Sequence, residues 1–395
     1  MGSAPILAII VGLSVANLYY VQSLLPQIAR NLALSAGEVL LIPMAIQIGL
    51  ALSLLLLLPI GDGVDRRRML VSAALAMAVA CAAIGLLPNF RMLLVAFLGL
   101  GLAALVPYLL PAYISSLVPD ALRGQTLGII LSGQFTGLLL SRSVGGLVGQ
   151  YFGWRAIFLF SSALMLAVAW WIRRCLPQEQ NVQPISYLAL QSSQLVLLRR
   201  YPGLRQACMS QGLQFGAFMA LWSGLAMHLA EPPWRMGSAA IGAFGLVGII
   251  SIIAAPGIGH LVDQFGSRRL VLASTLTSLL GVAILFGGQH SLLAICIGFI
   301  LLDLGVQSSY VANQTRVFSF NPEARSRMGC LLFFSAYLGA GVASSLVAMF
   351  WSRWHWHGLT AFAAVLVAMA LVTQFPGSRF RPLALASQPA LPLDP

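Results

Sequence analysis

The sequence predicts an all-α membrane protein with twelve transmembrane helices in two pseudo-symmetric six-helix bundles. Three observations carry that prediction. Hydrophobic residues make up 59% of the 395 and charged residues only 8%, where a soluble chain is about a quarter charged, so a water-facing surface cannot be covered. The apolar residues fall into twelve runs, each long enough to cross about 30 Å of hydrocarbon at about 1.5 Å per residue. A loop pattern then recurs after about half the chain, as a duplication of six helices would leave it. This composition excludes a cytosolic enzyme, a secreted disulfide domain and a disordered regulator.

The spans are expected at Ile6 to Ile28, Val39 to Ile60, Met69 to Leu87, Met92 to Val118, Gln125 to Val148 and Ala156 to Leu176 in the first half. The second half supplies Leu204 to Leu229, Ser238 to Leu261, Leu270 to Phe286, Leu292 to Phe318, Met328 to Phe350 and Leu359 to Phe375. Met1 to Pro5 carries no basic segment, so the first run is expected to be retained and not a cleaved signal peptide. The five cysteines lie far apart, mostly inside apolar runs, without the spacing of a zinc site.

The net charge of +12 comes from 22 basic residues, all arginine. With a cytoplasmic N-terminus, sixteen of them fall on the inner side and five (Arg30, Arg91, Arg155, Arg235, Arg353) on the outer, with Arg142 alone inside a span. That is the bias of membrane topology, not of nucleic-acid binding. It predicts a multi-pass protein of the bacterial inner (plasma) membrane with both termini cytoplasmic. The domains expected are residues 1–176 and 204–377 as the two bundles, 177–203 as a cytoplasmic linker and 378–395 as a cytoplasmic tail. The linker begins polar and breaker-rich, then places Ile185, Leu188, Leu195 and Leu198 near one helical face ahead of Arg199 and Arg200. An amphipathic helix on the inner membrane surface is expected there.

The repeat is read in two loops. Gly61-Asp-Gly-Val-Asp65 runs into Arg66, Arg67 and Arg68 after the second span, and Gly259-His-Leu-Val-Asp263 runs toward Arg268 and Arg269 after the eighth. A weaker echo pairs Pro119-Asp120-Ala121 with Pro322-Glu323-Ala324. These Gly-x-x-x-Asp loops resemble the signature between the second and third helices of the major facilitator superfamily. The fifth span, with Gly133, Gly137, Gly145, Gly146 and Gly149, resembles the glycine-rich fifth helix of that superfamily's exporters, with Arg142-Ser143 where a Gly-Pro core is usual. Asn17-Leu-Tyr-Tyr20 and Asp303-Leu-Gly-Val-Gln307 are similar to bacterial proton-coupled sugar or drug efflux permeases. The arginine such antiporters carry in the fourth helix has no counterpart here.

Asp303 is the sharpest single signal. It lies roughly 18 Å into the tenth span, where a carboxylate costs on the order of 2.5–3.5 kcal/mol. Gln307, Tyr310 and Gln314 follow along one stripe, as the wall of a wet cavity would. Asp303 is read either as a proton carrier or as a structural carboxylate pinning a neighbour. Arg142 is read as a structural charge bonded to backbone or snorkelling outward, against binding an anionic group or pairing with Asp303. His228 reads as an interface residue, and His355 and His357, alternating with Trp354 and Trp356, as an aromatic belt.

The resemblance implies that the first, fourth, seventh and tenth helices line the cavity. Substrate contacts are then expected from Asn17, Tyr20, Gln22, Tyr108, Tyr113, Gln211, Gln214, Trp222, Gln307 and Tyr310, a set suited to neutral or weakly cationic amphiphiles or a polyol. It also implies that, when the inner side is closed, Asp65 meets a helix start near Arg325 to Met328 and Asp263 one near Gly124 to Thr126, with Arg66, Arg67, Arg68, Arg268, Arg269 and Arg325 assisting this inner gate. Small residues at Gly242, Gly245, Gly248, Ala254, Ala255, Gly257 and Gly259 are expected to allow close packing across the seam.

The function expected is alternating-access transport of a small organic molecule, with proton-coupled efflux ahead of an uptake permease or facilitator. No P-loop signals ATP-driven pumping, and no HExxH or triad signals a membrane enzyme. No cofactor or metal is expected. The partners expected are the substrate, protons and the lipid bilayer, with no nucleic acid and a monomeric state.

Overall fold

The structure is a computed structural model that describes residues 4–179, 187–250, 261, 264–321 and 324–375. Every regular element among these is helical. Ten helices are long and apolar enough to cross a membrane, beginning with Ala4–Ser23, Ala36–Gly61, Arg66–Leu86, Phe90–Leu117, Gln125–Phe152 and Trp154–Cys175. Pro202–Ala230, Ser267–Gly287, Leu292–Phe318 and Arg327–Val372 follow, and the shorter Ser238–Gly248 opens the eighth span. The last of these helices counts twice. Its chain turns at His355, where φ is 46° and ψ −134°, and the Phe350 and Phe362 rings stack 4.5 Å apart. Twelve residues of continuous helix would separate them by about 18 Å, so the eleventh and twelfth spans form a hairpin, and the architecture is that of twelve spans.

Proline sets two internal breaks. The first span is α-helical over Ala4–Tyr19, tightens to a 3-10 turn over Tyr20–Ser23 and resumes at Leu25–Asn31. Pro26 stands in the first turn of that resumption, where its missing N–H costs nothing. The fourth span likewise divides into Phe90–Ala103 and Val106–Leu117, with Pro107 opening the second piece. The second span starts with a capping box in which Ser35 accepts from the Glu38 N–H. Near its other end a π-helical turn at Ser53–Leu57 leaves the Leu55 carbonyl to accept from Gln191 Nε2 at 3.0 Å.

Helices in lipid gain little from burying apolar surface against one another, so close backbone packing matters more. A Cβ added at Gly137 would overlap the Gly12 carbonyl, and one at Gly339 would overlap that of Gly212. Gly212 and Gly339 lie 200 and 202 positions after Gly12 and Gly137. The first and fifth spans therefore meet as the seventh and eleventh do, which is the duplication seen in three dimensions.

Arg66 to Arg68, Arg173, Arg174, Arg268 and Arg316 lie at one end of the bundle, called here the arginine-rich end. At the opposite end the halves touch directly. Ser143 Oγ donates to the Gly242 carbonyl at 3.0 Å, the Ala239 N–H donates to Gln150 Oε1 at 3.1 Å, and Gln22 Nε2 lies 3.5 Å from Met219 Sδ. Gly242, Gly245 and Gly248 lie in this contact as expected, while Ala254, Ala255, Gly257 and Gly259 fall outside the described residues.

The linker forms the helix Tyr187–Arg200. Leu190, Gln194 and Leu197 are its buried side chains, while Leu188 and Leu195, expected on the membrane-surface face, are 77% and 60% exposed. The helix uses one face for the bundle and leaves the Leu188 and Leu195 face outward. Ile185 lies outside the described residues.

Candidate functional site

Arg142 sits ten residues before the end of the fifth-span helix Asp120–Phe152, about 15 Å from its tip, and is 3% exposed. Its Nε donates to Gln22 Oε1 at 2.6 Å. The guanidinium lies 4.2 Å from the centre of the Trp222 ring and 5.6 Å from that of Tyr19. Nη2 has no hydrogen-bond partner among the described residues. Its backbone is held as well, since Ser23 Oγ donates to the Arg142 carbonyl at 2.9 Å. Such an arginine neither snorkels outward nor bonds backbone carbonyls, the two structural roles expected of it.

Asp303 lies close by across the seam and is 7% exposed. The eighth span runs past both residues with glycine facing them. A Cβ at Gly245 would come 2.9 Å from Arg142 Cβ, and one at Gly248 would come 3.2 Å from Asp303 Oδ2. The two charges interact electrostatically. A buried cation and a buried carboxylate each incur a desolvation cost that their mutual attraction offsets only in part. Ser23, Leu225, Ala226 and Ile241 complete a cavity of about 10 Å³ beside Arg142, Gln22 and Trp222, room for one water.

Toward the arginine-rich end, aromatic side chains from both halves follow. Tyr108 and Tyr337 hydroxyls are 2.5 Å apart, and Tyr19 lies near Tyr337. Phe333 packs edge-on to Tyr108 and tilted against Tyr310, at centroid distances of 5.5 and 5.9 Å. Phe215 meets Tyr337 at 5.3 Å. This is a polar-rimmed aromatic patch on the seam.

Of the expected substrate contacts, the structure brings together Gln22, Trp222, Tyr108 and Tyr310, with Asp303 and Arg142 beside the first two. Asn17 instead accepts from Cys81 Sγ at 3.5 Å, and Tyr20 packs on Phe158 at 6.5 Å, so both face the interior of the first bundle. Tyr113 donates to the Pro177 carbonyl near the arginine-rich end. Gln214 donates to Ser309 Oγ at 2.7 Å and to Ser210 Oγ at 3.2 Å, inside the second bundle. Gln211 is buried with Oε1 unsatisfied among the described residues, and Gln307 is half-buried.

Sequence reasoning missed Tyr19, Tyr337, Phe333, Gln47 and Met219. Tyr19 was adjacent to a residue that was chosen. Gln47, whose Nε2 lies 3.6 Å from Met219 Sδ, was a polar side chain within an apolar run and could have been found on that ground.

The expected gate residues take local partners. Asp65 caps its own helix, accepting from the Arg67 N–H at 3.0 Å, and pairs with Arg68 at 3.4 Å. Arg66 pairs with Glu179 at 3.4 Å and donates from Nε to the Gly61 carbonyl at 3.0 Å. Arg67 donates to the Arg173 carbonyl, Arg268 to the Gln374 carbonyl at 3.0 Å and Arg325 to the Phe318 carbonyl at 3.0 Å. Arg269 is exposed. Asp263 lies outside the described residues. The gate contact implied for Asp65 belongs to the state closed at the arginine-rich end; here the halves touch at the opposite end, and Asp65 serves the first N–H groups of its own helix.

The belt expected at His355 and His357 is also corrected. Trp356 is buried, donating from Nε1 to the Leu285 carbonyl at 2.9 Å and stacking on His228 at 4.6 Å. His355 makes the hairpin turn. Trp354, 54% exposed, and the exposed His355 and His357 face outward, so the correction concerns Trp356.

The sequence pattern of the family described as the Major Facilitator Superfamily matches residues 7–255. An uncharacterized transporter of Escherichia coli O157:H7, YgaY, is 33% identical over 372 residues, covering 94% of each chain. A protein of Streptomyces coelicolor named a probable transporter is 31% identical over 366 residues, covering 92% of this chain and 85% of its own. Among solved structures, a bacterial homolog of the human lysosomal transporter Spinster, inward-facing and unoccupied, superposes with a TM-score of 0.72 at 16% identity, covering 94% and 95% of the two chains.

Proposed function

The chain belongs to the major facilitator superfamily, and from that premise we propose that it is a proton-coupled secondary transporter of a small organic molecule, working by alternating access with Asp303 as the proton carrier. It is a transporter of the superfamily's type, as its relatives are named. The observation that carries the proton-coupled reading is the placement of Asp303: buried in the tenth span and within electrostatic reach of Arg142, which comes from the other half. A carboxylate so placed gains or loses its proton at a cost that depends on how the halves are arranged. That dependence is what couples proton movement to rocking.

Two directions of transport have support. The glycine-rich fifth span resembles that of the superfamily's exporters, which favours efflux by exchange for protons. The buried Arg142 favours a second reading, uptake with the proton, because a cation beside Asp303 suits a substrate carrying negative charge. The arginine distribution supports cytoplasmic termini in a bacterial inner membrane under either reading.

Reconstitution tests this proposal. Protein in proteoliposomes with an imposed pH gradient, acid outside or acid inside, is expected to accumulate or expel substrate only when the gradient has the coupling sign. Substrate that equilibrates at the same final level with and without the gradient would show a facilitator and remove the coupling.

A further inference from the structure

We propose that Arg142 is the seat of an anionic substrate: an organic monocarboxylate whose charged group meets the outer edge of the guanidinium and whose apolar body lies against Trp222 and the aromatic patch beyond. The inference rests on the proton-coupled reading above and names its substrate class.

The argument begins from the donors. A guanidinium offers five N–H groups in a planar fork. Gln22 takes Nε through a neutral amide oxygen, and Trp222 and Tyr19 lie near the guanidinium. What remains is the Nη edge, where Nη2 is buried without a partner among the described residues. That edge is the one through which arginine grips a carboxylate with two parallel hydrogen bonds. A neutral amphiphile has no use for it, and a cation would be repelled, which reverses the substrate class expected from the amide-rich list. Several convergent arginines would suit a phosphorylated substrate, but a single guanidinium suits a single negative charge. Leu225, Ala226 and Ile241 border the same cavity, so the rest of the ligand meets apolar surface.

The cavity is about 10 Å³ here, large enough for a water and not for a carboxylate ligand. The seat is therefore opened by movement of the fifth span against the seventh and eighth, the movement alternating access requires.

Charge balance then couples the ligand to the proton. The charged side chains meeting there are Arg142 from the fifth span and Asp303 from the tenth. The first span contributes the Tyr19 phenol, the eleventh Tyr337 and the seventh Trp222, while the described part of the eighth presents glycine. With Asp303 ionised the pair is neutral and a third charge, negative, is resisted. With Asp303 protonated Arg142 is left uncompensated, and an anion restores neutrality. Anion and proton therefore bind together, which favours uptake by symport.

The simpler alternative is that Arg142 only latches the seam by its contact with Trp222. Thermal-shift measurements on the purified full chain separate the two. The probes are benzoate, phenylacetate and hexanoate, each against its primary amide, at about pH 7.5 and about pH 5.5, a range in which the acids stay largely ionised. At least one carboxylate is expected to stabilise the protein where its amide does not, more strongly at the lower pH. Arg142→Gln is expected to abolish the response and Arg142→Lys to weaken binding by about tenfold or more. Ser143→Ala breaks a neighbouring seam contact without touching the guanidinium, and it is expected to keep the preference for the acid. Acids that give no larger response than their amides, or a response that survives in Arg142→Gln, would overturn the seat. Carboxylate binding without gradient-driven transport would leave the seat standing and remove only the coupling.

Discussion

The Arg142 guanidinium lies 4.2 Å from the centre of the Trp222 ring, and the two side chains come from opposite halves of the molecule. Their contact exists only while the end of the seam away from the arginine-rich loops is shut. A desolvated cation–π contact is worth about 2 kcal/mol, or a factor of about 30 in an equilibrium. Trp222→Leu is therefore expected to raise the open fraction at that end by up to about 30-fold, within the limit of the differential energy lost. Spin labels at Tyr151 and Pro232, both exposed, report it as a longer distance component. Unchanged distances would remove the latch.

Asp303→Asn fixes the neutral form of the proposed carrier. Exchange between two substrate pools is expected to persist, because it needs rocking and binding but no proton release. Uphill accumulation under a pH gradient is expected to fall to the background level. Wild-type accumulation in the Asn variant would leave Asp303 a structural group.

Tyr19 and Tyr20 provide a direct comparison of neighbours. Tyr19 lies near Tyr337 and against Arg142 at the seam, while Tyr20 packs edge-on to Phe158 inside the first bundle. Tyr19→Phe is expected to lower transport while leaving thermal stability nearly unchanged. Tyr20→Phe is expected to leave transport at the wild-type level. Equal effects of the two on transport would contradict the assignment.

That pair also shows where the sequence was legible and where it was not. Span number and the close packing at Gly242, Gly245 and Gly248 followed from run length and residue size, and the structure bears them out; the second copy of the repeated loop lies outside the described residues. Which face of the first span meets the other half did not follow, because the helix is apolar all round and offers no periodicity to read. Its helix tightens at Tyr20, so a stripe projected from an ideal helix is displaced there as well. Gln214 and Asn17 show a second limit. A polar residue in lipid looks functional, yet these two are occupied by Ser309 and Cys81 within one bundle.

Asp65 caps the third-span helix through the Arg67 N–H. Asparagine caps about as well as aspartate, while alanine costs about 1 kcal/mol. The ion pair with Arg68, whose side chain is 79% exposed, adds little. Asp65→Asn is therefore expected to leave thermal stability nearly unchanged and Asp65→Ala to lower it. Label distances between the second and eleventh spans at the arginine-rich end are expected to be unaffected by either. A longer distance in Asp65→Asn would restore the inter-half gate that the resemblance implied.

The last prediction concerns a clamp that occurs twice. Arg67, at the start of the third span, donates to the Arg173 carbonyl at the end of the sixth. Arg268, at the start of the ninth, donates to the Gln374 carbonyl at the end of the twelfth. Arg268 stands 201 positions after Arg67, and Gln374 stands 201 after Arg173, so donor and acceptor recur in register. The last carbonyls of a helix have no partner within it and carry partial negative charge, which a guanidinium satisfies. Each clamp ties the outermost helix of a half to the start of its third, and neither crosses the seam. Arg67→Gln and Arg268→Gln are thus each expected to lower thermal stability, by an amount set by a charge-assisted bond of about 1.5–3 kcal/mol discounted for solvent. Because the two sites share no partner, the double variant is expected to add the single losses within about 0.5 kcal/mol. Transport direction and the response to Arg142 variants are expected to stay as in the wild type. Strong non-additivity would mean that the halves unfold as one body and that the clamps report on the seam after all.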